Sequence, residues 1–180
     1  MNLSPTMQKY IVHWGEMGTR WGVNRTVAQI HALLFLANQP MTADEIMETL
    51  NVARSNVSNS LKELQSWGLV KVLHELGDRR DHFVALQDVW EIFSVITEER
   101  KKRELDPTLT VLRECAIEAE TDNEIEAATR EKMDQVLEFL EVLLSGYDDF
   151  KKLPPSTVIK LLKMGSKLGQ LASLFGSEKT

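Results

Sequence analysis

Apolar residues recur every three or four positions from Met7 through Tyr10, Ile11, Trp14, Met17 and Trp21, which predicts an amphipathic helix. Gly22 interrupts it, and Asn24 is suited to cap a second helix with Val27, Ile30, Leu33, Leu34 and Ala37 along one stripe, closed by Pro40. Thr42 and Glu45 have capping-box spacing, so a short helix should start there and run through Ile46 to Leu50. After the brief Asn51-Val52-Ala53, a further helix carries Val57, Leu61 and Leu64 inward and ends at Trp67-Gly68. Two short helices joined this tightly read as a helix-turn-helix.

The period then drops from 3.6 to 2. Leu69–Leu76 and Asp81–Leu86 read as two strands, with Gly77-Asp78-Arg79-Arg80 between them as turn formers and charge. Asp88 and Glu91 repeat the capping spacing ahead of a helix with Val89, Ile92, Phe93 and Ile96, expected to end near Asp106-Pro107. From Leu109 to Tyr147 the pattern is helical, anchored by Val111, Leu112, Val136, Leu137, Leu140 and Leu144 and divided near Thr121-Asp122-Asn123. Pro154-Pro155 is a firm break before a last helix with Val158, Leu161, Leu162, Leu168, Leu171, Ala172 and Phe175 on one side and Gly165 and Gly169 one turn apart. The order helix, turn, helix, Gly and hairpin predicts a mainly α fold with a small β-hairpin wing, a winged helix-turn-helix with flanking helices.

Composition sharpens this only in part. Of the 180 residues, 43% are hydrophobic and 27% charged, the balance of a folded globular chain. The longest apolar run, Ala32-Leu33-Leu34-Phe35-Leu36-Ala37, is far short of the roughly 20 residues that span a bilayer, so no membrane partner is expected. The lone cysteine, Cys115, cannot form an internal disulfide, which favours a reducing cytoplasm.

The net charge of −6 argues at first against a polyanionic partner. Position changes that. Residues 1–105 carry 12 Lys and Arg against 13 Asp and Glu, whereas residues 106–180 carry 9 against 14. Most of the excess acid therefore lies outside the helix-turn-helix. With Val57, Leu61 and Leu64 buried, 100° per residue places Ser55, Asn59, Lys62 and Ser66 on the opposite face, flanked by Arg54, Asn56 and Ser58. Small polar groups with one cation suit base edges in a major groove, and Arg54 stands where backbone amides favour phosphate. Arg79 and Arg80, at the end of the hairpin, suit a minor groove and the backbone beside it. Any amphipathic helix has a polar face, so the consecutive unit carries more weight than this helix alone.

Ser55-Asn56-Val57-Ser58, Leu61-Lys62-Glu63-Leu64, Trp67-Gly68-Leu69-Val70 and Gly77-Asp78-Arg79-Arg80-Asp81-His82-Phe83 resemble the MarR superfamily of repressors; with Asp88-Val89-Trp90 they resemble most closely its GbsR-type branch. The resemblance is specific over residues 42–90 and architectural elsewhere. It implies a homodimeric transcriptional regulator with two recognition helices in successive major grooves of a pseudo-palindromic operator. Arg79 and Arg80 would be the wing arginines and Asp78 the acid that braces one. It also implies a division into an N-terminal helix at the dimer interface (residues 1–22), a DNA-binding domain (23–87) and a helical dimerisation and effector-sensing region (88–180). The last helix is expected to join the first in that interface. The competing reading is a winged-helix module that docks on protein without specific DNA binding.

Trp14, Trp21, Trp90 and Phe93 are the candidates for an aromatic effector site, because ring faces attract quaternary ammonium; packing in the core or at the dimer interface is the preferred reading. The branch answers to choline-like osmolytes, but no ligand residue carries over. His74 and His82 lie on neighbouring wing strands without a completing zinc set, and His13 and His31 stand alone on helices. No nucleophile elbow, phosphate loop or metal-helix motif occurs, so neither an enzyme nor a cofactor is expected.

Overall fold

The computed structural model describes residues 1–175, with side chains described as far as Gly165. Eight α-helices and three short strands follow in the order α1 (Pro5–Arg20), α2 (Arg25–Leu36), β1 (Met41–Thr42), α3 (Ala43–Leu50), α4 (Arg54–Ser66), β2 (Val70–Leu73), β3 (His82–Ala85), α5 (Val89–Arg100), α6 (Asp106–Thr121), α7 (Ala127–Lys151) and α8 (Pro155–Phe175). The contacts divide into two compact units, residues 1–99 and 100–180.

In the first unit the local signals act as the sequence predicts. The Asn24 side chain accepts from the Thr26 amide at 2.8 Å. At α3 the full capping box forms: Thr42 Oγ1 accepts from the Glu45 amide at 3.3 Å, and Glu45 Oε2 accepts from the Thr42 amide at 2.7 Å and its hydroxyl at 2.8 Å. These bonds hold the Glu45 carboxyl below its usual range. Asp88 Oδ1 accepts from the Trp90 and Glu91 amides at the start of α5.

The turn between α3 and α4 depends on Asn51, which sits in the left-handed region at φ 51° and ψ 50°. Asn tolerates this conformation better than other non-glycine residues, and β-branched residues tolerate it least. Asn51→Val should therefore destabilise the domain by about 1–2 kcal/mol, while Asn51→Gly should be close to neutral, both read from urea midpoints. Gly68, at φ 77°, turns the chain from α4 into the wing.

The wing is part of a three-stranded antiparallel sheet rather than a bare hairpin. Its strand order is β1-β3-β2, with Met41 opposite Phe83 and Thr42 opposite His82 on one side, and Val72 opposite Phe83 on the other. The paired strands are shorter than the apolar alternation suggests. β1 thereby ties the start of α3 to the base of the wing.

Ile30, Leu33 and Leu34 of α2, Ile46 of α3, Val57 and Leu64 of α4, and Leu69 ahead of β2 are the largest side chains that are fully buried. Burying each contributes about 1.5–3 kcal/mol. Ile11 of α1 and Ile92 of α5 join the same core, so the helices flanking the helix-turn-helix are part of this unit. Gly18 allows the close approach of α1 to α2: a Cβ there would stand 2.5 Å from that of Ala28.

In the second unit, Lys101–Leu105 winds as one π-helical stretch before α6, and Pro107 occupies the first turn of α6, where a missing N–H costs nothing. The helix end expected near Asp106-Pro107 does not occur: Leu105 and Asp106 keep helical backbone angles, and the chain passes from the π-helical stretch straight into α6. α6 packs on α7, with Arg113 Nε donating to Glu141 Oε1 at 2.8 Å across them. Ala119 and Leu144 are buried here, but Val111 and Val136, expected as anchors, are 55% and 49% exposed. The helix break at residues 122–126 and the one that ends at Pro154, with Pro155 opening α8, fall where predicted. Leu168, Gly169, Leu171, Ala172 and Phe175 of the C-terminal stripe lie outside the described side chains.

Candidate nucleic-acid interface

α4 buries Val57, Ser60, Leu61 and Leu64 and exposes Arg54, Ser55, Asn56, Ser58, Asn59, Lys62, Gln65 and Ser66. The polar face predicted from helical spacing is therefore outside, and it divides in two. Ser55, Asn59, Lys62 and Ser66 form the outer crest. Arg54, Ser58, Lys62 and Gln65 form one wall of an open groove of about 340 Å³, with Thr42, Asp44, Arg80 and Phe83 among the residues opposite. Gln65 was not among the predicted side chains, yet Ser58, Lys62 and Gln65 follow an i, i+4, i+7 spacing that could have found it. Gln can pair with two atoms of adenine in a major groove.

The α4 N-terminus has Ala53 as its cap and receives no side-chain hydrogen bond there. Its first amides are thus left to solvent or an anion. Arg54 Nη1 stands 3.3 Å from Asp44 Oδ1, with both side chains well exposed, so the pair contributes only about 0–1 kcal/mol and yields readily to a phosphate.

The tip of the wing is Leu76-Gly77, where the Asp78 amide donates to the Glu75 carbonyl at 3.2 Å; Arg79 and Arg80 follow it on the returning side. Asp78 organises this return. Its carboxylate accepts from Arg80 Nε at 3.0 Å through both oxygens, from Arg80 Nη2 at 2.6 Å and from the Arg80 amide at 2.9 Å. Buried His82 places Nε2 3.3 Å from Asp78 Oδ2. The guanidinium is accordingly held in a fork, and the same bonds keep the Asp78 carboxyl far below the usual carboxylate range. Lys62 and Arg79 form no ion pair with any described residue, so among the four candidate cations two are held by acids and two are not.

The four aromatics considered for an effector do not converge. Trp14 and Trp21 line a cavity of about 220 Å³ together with Trp67, His31, Met17 and Ile96. Trp14 also stacks on Tyr10 at 5.6 Å. Trp90 and Phe93 do not line it and instead meet edge to face at 6.4 Å. Trp67 and His31 are the lining residues that spacing alone did not single out. On the wing, His74 faces Asp81 at 3.6 Å, and among the described residues no group of three or more His, Cys, Asp or Glu side chains is gathered to hold a metal. No helix among the described residues is long and apolar enough to cross a membrane.

Residues 21–81, which include α2 to α4, β2 and the turn of the wing, match the model of the MarR family. The chain is 24% identical to the HTH-type transcriptional repressor GbsR of Bacillus subtilis (strain 168) over 139 residues, 76% of this chain and 77% of that protein. It is 20% identical to the putative HTH-type transcriptional regulator YvaV of the same organism, covering 74% of this chain and 76% of that one. A crystal structure of a transcriptional regulator aligns with a TM-score of 0.58 at 15% identity, over 81% of this chain and 95% of the other, a likeness of fold. The two Bacillus relatives extend the match well beyond the helix-turn-helix, and the chain is similar to the MarR family over residues 21–81 and to GbsR-type regulators over about three quarters of its length.

Proposed function

We propose that this chain is a homodimeric, sequence-specific DNA-binding transcriptional repressor, acting in the cytoplasm and controlled by a small effector. The observation that carries the DNA-binding part is the groove between α4 and the wing, where Arg54, Ser58, Lys62, Gln65 and Arg80 line one surface beside the uncapped N-terminus of α4. Arg54, Lys62, Arg79 and Arg80 would hold phosphates and the minor-groove edge. Ser55, Asn56, Ser58 and Asn59, on the exposed face, would read bases. Two copies related by a two-fold axis would place their α4 helices about one DNA turn apart, ~10 bp between half-site centres.

The second unit supports self-association. Ile117 of α6 and Phe139, Val142 and Leu143 of α7 are large apolar side chains left between 52% and 67% exposed. No helix among the described residues is long and apolar enough to cross a membrane, so such exposed side chains suit a protein partner, and a second copy is the partner that a two-fold operator requires.

The test is a gel shift with DNA from upstream of the protein's own gene at several salt concentrations. Tight, sequence-selective complexes with a defined two-fold footprint are expected. Binding that is salt-sensitive but indifferent to sequence would overturn the proposal. Within it, Asp78 is a positioning residue for Arg80. Asp78→Ala should lower the preference for operator over random DNA by about tenfold, while random-DNA affinity stays level or rises with the lost acid. Equal losses on both DNAs would mean that Asp78 supports the wing as a whole.

A further inference from the structure

We infer that Leu76, at the tip of the wing, is an apolar wedge for the minor groove of the operator, seated at a deformable pyrimidine–purine step on the outer flank of each half-site. This deepens the DNA-binding part of the proposed function and rests on that reading.

The turn presents this side chain alone. Glu75-Leu76-Gly77-Asp78 closes with the Asp78 amide donating to the Glu75 carbonyl at 3.2 Å, and Gly77 takes φ 88° at the third position, the pattern of a type II turn. Gly77 has no side chain, so Leu76 is what projects at the tip. It is fully exposed, more so than any other large apolar residue among those described.

The turn is also braced from beneath. Buried His82 of β3 places Nε2 3.3 Å from Asp78 Oδ2 and Nδ1 3.9 Å from Glu75 Oε1, so both ends of the turn meet one side chain at the base of the wing. Arg80 holds Asp78 from the other side. Leu76 thus stands on a fixed support, which lowers the ordering cost of any contact it makes.

What the tip meets follows from its neighbours. Val72, Arg80, Asp81 and Phe83 of the same hairpin line the groove with α4, and Arg79 follows the turn without an ion pair to a described residue. A duplex drawn to Arg54, Lys62, Arg79 and Arg80 therefore meets the turn as well. No cation stands in the turn itself, because Arg80 is forked by Asp78 and lines the groove. The foremost group of the wing is apolar. Leucine and similar side chains that enter a minor groove do so as wedges between base steps, which they partly unstack and kink. Pyrimidine–purine steps yield to this most easily. Leu76 then reads the stiffness of a step, a selectivity that needs no hydrogen bond.

The full-length protein is bound to the operator located by footprinting upstream of its own gene, in duplexes carrying 2-aminopurine, an adenine analogue that brightens when unstacked, at one TA or CA step at a time. Brightening is expected at one step on each outer flank. Leu76→Ala should abolish it and weaken operator binding about tenfold, with the slope of log K against log salt unchanged, because an apolar contact releases no counterions. Leu76→Met should restore both. Exchanging the responsive step for a stiff AA step should weaken the unsubstituted protein about tenfold and Leu76→Ala by less than about threefold. Equal thermal midpoints are expected for all three proteins, since the side chain is fully exposed. A tight operator complex without brightening at any flanking step, or an unchanged Kd for Leu76→Ala, overturns the inference and leaves the regulator reading standing. Absence of any sequence-selective complex overturns that reading, and the inference with it.

Discussion

Lys62→Glu is expected to reduce operator affinity by about a thousandfold or more. Lys62 is exposed at mid-helix on α4, shared by the outer crest and the groove wall, and makes no ion pair with a described residue. In the proposed complex it would face phosphate or guanine, so the substitution would remove a cation and set a carboxylate against a polyanion. Like-charge juxtaposition at an interface costs several kcal/mol, and a two-fold complex repeats it at each half-site. About 4 kcal/mol in total corresponds to about a thousandfold in Kd. Lys62→Ala isolates the lost contact. It should lower the slope of log K against log salt by about 1 per subunit and weaken operator and random DNA alike. Neither change should alter stability by more than about 0.5 kcal/mol, because the side chain supports nothing in the free protein. An unchanged operator Kd for Lys62→Glu, by fluorescence anisotropy across salt concentrations, would show that α4 is not the element that enters the groove.

The reach of the sequence follows the range of the interactions that write it. Asn24, the Thr42–Glu45 box and Asp88 were legible because each cap is a contact within three residues, and the inward face of α4 because helical period fixes it. β1 was not legible. A two-residue strand has no period, and Met41 and Thr42 are strand only because Phe83 and His82, some forty residues on, pair with them. The same long-range pairing brings the wing back beside α3, so Arg80 lines the groove opposite α4 rather than standing at the tip. The aromatic site shows both limits together. Trp14 and Trp21 were recognisable as candidates, but Trp90 and Phe93 point elsewhere, and Trp67 reaches the cavity from the other side of the core. His31 looked like one more isolated histidine on a helix, and only packing reveals that its nitrogen is left without a partner.

That nitrogen makes stability depend on acidity in a defined direction. Burial lowers the His31 pKa from its ordinary 6.5 to about 4 in the folded chain. Between these values the unfolded chain binds the proton and the folded chain does not, so stability rises with pH across this window and is lost as pH falls through it. Well above pH 6.5 both states are neutral and the contribution is constant; most of the difference is lost by pH 4, and all of it below that. The difference between 6.5 and about 4 corresponds to roughly 3 kcal/mol. His31→Leu removes the titrating group and leaves an apolar side chain where the imidazole had no hydrogen bond, so at pH 7 it should be neutral or stabilising. Carboxylates titrate in both proteins, and the informative quantity is therefore the difference between them. From pH 7 to pH 4 the variant should gain about 3 kcal/mol on the parent, or roughly 6–12 °C in Tm for a chain of this size. Parallel pH profiles would mean that the folded protein accommodates the imidazolium. The imidazolium would then find water or an acceptor that the surroundings of His31 Nε2 do not supply to the neutral ring.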